Sequence, residues 1–144
     1  MKLSAKAEYA CLAVLELALR HDRAEPARLV EIAAPNAIPE RFLVQILLQL
    51  KGAGFVSSVR GAGGGYHLAV EPQEISVWDI VQTVDGPTMT VANDEHVGSS
   101  PGWRVLRKVW NETSRIEQEH MQQIDFAHLA ELARAQNASN MYYI

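Results

Sequence analysis

The chain has 144 residues, of which 48% are hydrophobic and 21% charged, a composition typical of a compact globular domain. This length argues against a multidomain enzyme. No apolar run approaches the roughly 20 residues of a membrane-spanning helix. The first ten residues lack the apolar stretch of a signal peptide, so we expect a cytoplasmic protein without membrane contact.

The net charge of −4 argues, taken alone, against a nucleic-acid partner, because basic side chains drive phosphate binding. The charge is nevertheless uneven. Residues 1–70 carry eight basic and six acidic side chains, a net charge of +2, whereas residues 71–144 carry five and eleven, a net charge of −6. We therefore expect the two halves to face different partners.

The first 52 residues predict three helices separated by turns. Apolar residues at three- and four-residue spacing indicate a helix over residues 4–20, with Ser4 as its N-cap. Pro26 is predicted to start a short second helix over residues 27–34. In the break that follows, Asn36 is a residue that tolerates unusual backbone dihedral angles.

The third helix, over residues 39–52, is amphipathic. Its predicted buried stripe consists of Phe42, Leu43, Ile46, Leu47 and Leu50. The residues left outside the stripe are Arg41, Val44, Gln45, Leu48 and Gln49. A short helix, a tight turn and a longer helix form the pattern of a helix-turn-helix unit, whose second helix enters the major groove of DNA.

Two β-prone runs, residues 55–59 and 66–70, follow directly and predict a β-hairpin. Their connecting turn is rich in glycine, with Gly61, Gly63, Gly64 and Gly65. A positive φ explains one or two of them. The others would let the backbone and Arg60 approach phosphates or a minor groove. No Gly-Lys-Ser/Thr follows, which excludes a P-loop.

The second half is predicted to be helical around one long loop. Ser76 and Gly86 are expected to cap a fourth helix, and residues 86–102 read as a loop. A long helix over residues 103–123 carries a face suited to pairing with its copy in a dimer, although the same face could lie on its own domain. The predicted interface comprises Trp103, Leu106, Val109, Trp110, Thr113, Ile116 and His120. A last helix is expected over residues 126–136.

Three segments, MKLSAKAEYA, IPERFLVQILLQLKGAGFVSSVRGAGGGYHLA and ISVWDIVQTVDG, resemble the Rrf2 family of bacterial winged-helix transcription regulators. The resemblance implies a mostly α fold with a small β-hairpin wing: a winged helix-turn-helix DNA-binding domain followed by a long dimerisation helix. The expected divisions are the DNA-binding domain over 1–86, a sensor or effector loop over 87–102, dimerisation helices over 103–137 and a C-terminal tail over 138–144.

The resemblance also implies a homodimer that reads a pseudo-palindromic DNA operator, as a repressor. The DNA-binding residues are expected to be Ser4, Lys6, Arg41, Val44, Gln45, Lys51, Arg60, Gly61 and Gly63. Val44 departs from the polar residue that reads bases by hydrogen bonds, because valine offers only apolar contact to a thymine methyl group.

Many family members hold an iron–sulfur cluster through three cysteines, but residues 92–107 contain none, and Cys11 is the only cysteine of the chain. Cluster iron requires thiolate ligands, so we expect no iron–sulfur cluster. We expect no other cofactor either. The switch must then differ from that of the cluster-binding members.

Three kinds of regulatory signal are compatible with the sequence. A small-molecule or protein effector could act at a pocket beside Trp78, Trp103 and Trp110. A metal could bind Asp94, Glu95 and His96, with Glu8 and Cys11 from the partner's first helix, although a solvated acidic loop explains the same residues. Redox sensing through Cys11 is the third, and its position on an apolar helix face argues against it.

Two other functional classes are alternatives to DNA binding. Overall acidity and the apolar residues Val44 and Leu48 favour a protein–protein interaction module, whereas Arg60 in the glycine turn disfavours one. An enzyme is not expected, since no catalytic constellation is visible and the five histidines are dispersed along the chain.

Overall fold

A computed structural model describes residues 3–86, 98 and 100–141. These residues form a mostly helical fold with one two-stranded antiparallel sheet, which confirms the predicted fold class. The elements are α1 (Ala5–Leu19), α2 (Leu29–Ala33), a 3-10 turn (Ala34–Asn36), α3 (Glu40–Gly52), β1 (Val56–Val59), β2 (Gly65–Leu68), a second 3-10 turn (Pro72–Glu74), α4 (Val77–Asp85), α5 (Pro101–Gln122) and α6 (Phe126–Met141).

Helix α1 lies at the centre of the fold and packs against α3, α4 and α6. Its buried side chains are mostly alanines, namely Ala7, Ala10, Ala13 and Ala18, with Val14 and Leu17. Small side chains let helix axes approach closely, because the distance between packed helices depends on the residues at the contact. The predicted cap is confirmed, since the Ser4 hydroxyl accepts a hydrogen bond from the Ala7 N–H.

The second helix is shorter than predicted and does not start at Pro26. It begins at Leu29, with Arg28 as its N-cap residue. Ala27 instead bridges to Tyr66 of β2, with hydrogen bonds of 2.9 and 2.8 Å between their backbones. This pairing requires extended backbone at Ala27, so the tertiary contact overrides the local signal for a helix start.

The turn before α3 places its unusual dihedral angle at Ala37, where φ is +51°, rather than at Asn36. Asn36 ends the 3-10 turn, and its side-chain amide donates to the Ile32 carbonyl oxygen at 2.9 Å. The unusual conformation in this break is therefore taken by the residue after Asn36. Its side chain satisfies a helix carbonyl while the next residue takes the left-handed conformation.

Helix α3 matches its predicted bounds to within one residue. Four residues of its predicted stripe are buried, namely Leu43, Ile46, Leu47 and Leu50. The fifth, Phe42, is 45% exposed, so its prediction as a core residue was wrong. At 100° per residue, Phe42 lies about 80° around the helix axis from Leu50, at the edge of the stripe.

The hairpin pairs Val56 with Leu68 and Val59 with Gly65, slightly shorter than the predicted runs. One glycine of the turn, Gly61, has a positive φ, +106°. Two others allow close approaches: a Cβ at Gly64 would lie 2.3 Å from the Val59 carbonyl oxygen, and a Cβ at Gly65 would lie 2.3 Å from that of Ala27. The glycines thus have mainly structural causes.

The C-terminal helices differ from prediction at their ends. Ser76 and Gly86 cap α4 as expected. Helix α5 begins at Pro101, two residues early, because the Ser100 hydroxyl accepts from the Trp103 N–H at 3.1 Å. Helix α6 continues to Met141, so residues 138–141 are helical and do not form a tail. Residues 87–97 and 99 lie outside the described part of the chain.

One continuous core joins the N-terminal helices to α6. Phe126 is fully buried and belongs to the same core as the buried residues of α1 and α4. The Val77 N–H donates to the Ile124 carbonyl oxygen at 2.8 Å, and the Phe126 N–H donates to that of Ile75 at 3.0 Å. Within the described residues, no helix combines the length and the apolar character needed to cross a bilayer.

Candidate nucleic-acid interface

The nine residues predicted to bind DNA are all exposed, at the start of α1, along α3 and at the wing. Here the wing means the hairpin of β1, β2 and their turn. Helix α3 packs on α1 and on β1, and also on α2 and α4. The structure therefore gathers residues from three separate segments of sequence around one helix.

A groove of about 340 Å³ separates α1 from α3. Its walls include Lys6 and Tyr9 from α1, and Phe42 and Gln45 from α3. Lys6 and Gln45, both predicted to bind DNA, thus line the same groove. A cation and an amide on one rim can contact a phosphate and a base edge of the same duplex.

Phe42 has a second role that the hydrophobic pattern did not indicate. The Arg41 guanidinium lies over the Phe42 ring, 4.9 Å from its centroid. Such cation–π contacts restrain a flexible cation by about 0.5–1 kcal/mol at exposed sites. The exposed ring therefore holds Arg41 at the N-terminal end of α3, where a recognition helix meets bases.

Ser4 is held by contacts within the protein. In addition to capping α1, its hydroxyl donates to the Asp85 carboxylate, with Oγ 2.6 Å from Oδ1 and 2.9 Å from Oδ2. The start of α1 is therefore fastened to the end of α4. Sequence spacing carries no signal for this contact, since the two residues lie far apart in the chain.

The wing is fastened to α3 by Lys51. Its ammonium donates to the Ser58 hydroxyl of β1 at 2.7 Å. Arg60 follows β1 directly and is exposed, and Gly61 turns the chain with its positive φ. The contact links the wing to α3 at Ser58, two residues before Arg60.

An apolar pair stands beside these polar groups on α3. Val44 is 46% exposed and Leu48 is 69% exposed. Residues four apart on a helix are neighbours on its surface. The two side chains therefore form an apolar strip on the face of α3 that points away from the core.

The face of α5 predicted to form a dimer is uncovered. Of the 22 residues of α5, only Met121 is buried. Leu106, Val109, Trp110 and Ile116 are about half exposed, and Thr113 and His120 are exposed too. Trp103 is half-buried, with the Arg107 guanidinium 5.3 Å from its ring centroid.

A second groove, of about 340 Å³, lies between α1, α4 and α6 and is almost wholly apolar. It is lined by Leu3, Glu8, Cys11, Leu12, Leu15, Val77, Phe126 and Leu129, which do not include the three tryptophans proposed around an effector. Burial raises the pKa of the Cys11 thiol to about 12, and Asp85 and Glu8 add to the shift.

The proposed metal ligands are only partly within the described residues. Glu8 is exposed on α1, while Asp94, Glu95 and His96 lie outside the described part of the chain. Among the residues that are described, no three His, Cys, Asp or Glu side chains are grouped as metal ligands would be.

Comparisons with known proteins identify the family. The profile of the Rrf2 family, described as an iron-dependent transcriptional regulator, matches residues 3–132. The transcriptional regulator CymR of Bacillus subtilis is 32% identical over 146 aligned residues, which cover all of both chains. The regulator IscR of Aliivibrio salmonicida is 36% identical over 115 residues, 79% of this chain and 68% of that one.

Solved structures agree with the sequence comparisons. The structure of CymR, the global cysteine regulator of B. subtilis, superposes with a TM-score of 0.80 at 31% identity and covers 92% of this chain and 98% of that one. The structure of T. potens IscR gives a TM-score of 0.74 at 32% identity, covering 99% and 97%. These relatives are transcriptional regulators and not enzymes, as the sequence predicted. The chain belongs to the Rrf2 family of DNA-binding transcriptional regulators.

Proposed function

We propose that the chain is a homodimeric repressor that reads a pseudo-palindromic operator. Helix α3 enters the major groove, and Arg60 with Gly61 reaches the adjacent minor groove. The observation that carries this proposal is the exposed array of Lys6, Arg41 and Gln45 around α3, with the wing attached to the same helix through Lys51. Two copies of this array would read two half-sites.

The uncovered face of α5 supports the homodimer. A helix of 22 residues is about 33 Å long, and packing of an apolar face supplies most of the stability of such a helix. Here one buried residue, Met121, anchors the helix to its own chain. Pairing with a second α5 would cover Leu106, Val109, Trp110 and Ile116 from water at once.

The test begins with selection of bound duplexes from a library of genomic fragments. Arg60→Ala should lower affinity for the selected duplex about 5- to 150-fold, the range for losing a base contact of about 1–3 kcal/mol. Arg23→Ala is the matched control, because Arg23 is exposed in the turn after α1 and should leave affinity unchanged. Equal affinity of the wild type and Arg60→Ala at physiological salt would contradict the role of the wing.

Two further measurements separate the remaining parts of the proposal. Sedimentation of the free protein should show a dimer, and a monomer at micromolar concentration would contradict the role of α5. Transcription in vitro from a promoter that contains the selected site should fall when the protein is added. A rise in transcript would show activation and contradict repression.

We also propose that regulation proceeds without an iron–sulfur cluster, because the donor set does not fit one. Such clusters take several thiolates, and this chain has one cysteine, held in the apolar groove with a pKa of about 12. Protein purified without oxygen should lack acid-labile sulfide and visible charge-transfer absorbance. A brown preparation containing both would overturn this part.

A further inference from the structure

We propose that this regulator reads thymine 5-methyl groups through the apolar strip of Val44 and Leu48 on α3. The inference rests on the proposed function, since it requires α3 to lie in the major groove. It adds the chemical identity of what the helix recognises there.

The strip is placed where base edges would meet it. The core-facing side of α3 is occupied by Leu43, Ile46, Leu47 and Leu50. Val44 and Leu48 lie on the opposite side, and Leu48 is the most exposed large apolar side chain of the described chain. Arg41 lies one turn before Val44 in the sequence of the helix, so this cation and the strip belong to neighbouring turns of α3.

The chemistry of the major groove leaves one partner for such side chains. Guanine, cytosine and adenine present hydrogen-bonding groups there, and an apolar side chain against them would remove water without replacing its hydrogen bonds. Thymine alone also carries a methyl group at its groove edge. Valine and leucine therefore favour thymine at the positions that they cover, while Arg41 and Gln45 supply the hydrogen bonds.

Charge around the strip favours DNA over a protein as its occupant. Exposed cations lie on α3 itself and on the neighbouring α1 and wing, namely Lys6, Arg41, Lys51 and Arg60. They belong to the half of the chain with net charge +2. Two side chains also provide far less area than the roughly 1,000 Å² that a stable protein interface buries.

The experiment replaces single thymines of a selected duplex by deoxyuridine, which removes the methyl group and leaves every hydrogen-bonding group unchanged. At the positions that α3 covers, each replacement should weaken binding by the wild-type protein about fourfold, the value for losing one buried methyl group. Replacement of thymines elsewhere in the duplex should leave the binding affinity unchanged.

Variants then assign the effect to the strip. In Val44→Ala and Leu48→Ala, the affinity ratio between thymine and deoxyuridine duplexes should fall towards one. Val30→Ala is the matched control, because Val30 is an exposed valine on α2 and should leave the ratio at about four. Both side chains of the strip are exposed, so circular dichroism should show intact folds.

The possible failures are distinguishable. A duplex that is bound equally well after replacement of all its thymines overturns the inference and leaves DNA binding standing. An unchanged ratio in both strip variants overturns the assignment to Val44 and Leu48. If selection enriches no duplex, the proposed function fails. In that case, a partner protein that binds the wild-type regulator but not the Leu48→Ala variant would identify the strip as a protein-binding surface.

Discussion

Replacement of Gly65 by alanine tests how the wing is attached to the rest of the protein. Gly65 opens β2 and passes close to Ala27, the residue before α2. A Cβ built at Gly65 would lie 2.3 Å from the Ala27 carbonyl oxygen and 2.7 Å from its carbonyl carbon, whereas ordinary contacts begin at 3.4 Å. The two backbones must therefore separate by about 1 Å.

The expected cost follows from what this separation breaks. Ala27 and Tyr66 exchange two backbone hydrogen bonds of 2.9 and 2.8 Å, and both become too long when the strands move apart. Each contributes about 1 kcal/mol. Displacing the buried Ala27 adds about 1 kcal/mol of packing strain. Gly65→Ala should thus lower the free energy of unfolding by about 3 kcal/mol.

Urea denaturation, followed by circular dichroism at one fixed protein concentration, measures this change. With a slope of about 1.5 kcal/mol per molar urea, the midpoint should fall by about 2 M. Gly63→Ala is the matched control in the same turn, because no atom lies within 4 Å of its Cβ, and it should stay within about 0.5 kcal/mol of wild type. Equal midpoints for the two variants would refute the close approach of Gly65 to Ala27.

Further variants probe the dimer face, the N-cap, the stacked arginine and the cysteine. Trp110→Glu should convert the proposed dimer to a monomer in sedimentation velocity, and an unaltered dimer would exclude this face. Ser4→Ala should lower the free energy of unfolding by about 1–2 kcal/mol, because the variant loses the N-cap and the hydrogen bond to Asp85. A urea midpoint equal to that of the wild type would contradict both roles of Ser4. Phe42→Ala should weaken operator binding about two- to fivefold without unfolding the protein, and full affinity would show that the ring does not position Arg41. The pKa of Cys11 is raised from 9.0 to about 12, which lowers the thiolate fraction at pH 8 about a thousandfold. Iodoacetamide should therefore label the unfolded protein far faster than the native protein. Equal labelling rates would mean that the thiol is exposed to water in the native protein.

Local signals account for most elements of the fold. The caps at Ser4 and Ser76 were predictable because a hydroxyl before an amphipathic run has one common role, and the structure shows both hydrogen bonds. The bounds of α3 were predictable because its apolar period is regular. The hairpin was predictable because β-prone runs flank a glycine-rich turn.

The differences arise where distant segments meet. Pro26 is a reasonable helix start from the sequence, but in the fold the backbone of Ala27 pairs with Tyr66 of β2 and is not helical. Phe42 fits the apolar period and is nevertheless exposed, because its place at the edge of the stripe depends on how α1 packs against α3. At the candidate interface, the contact of Lys51 with Ser58 and that of Ser4 with Asp85 join residues that no spacing rule connects.

The position of Phe126 in the core has a consequence for synthesis of the protein. The ribosome makes α1, α3, the wing and α4 first, but their shared core lacks its largest fully buried side chain until residue 126 has emerged. By then all of α5 has been made, because it ends at Gln122. The nascent chain therefore carries the α5 surface before the core of its N-terminal half is complete. A truncated product ending before α6 would leave an open apolar cleft beside α1.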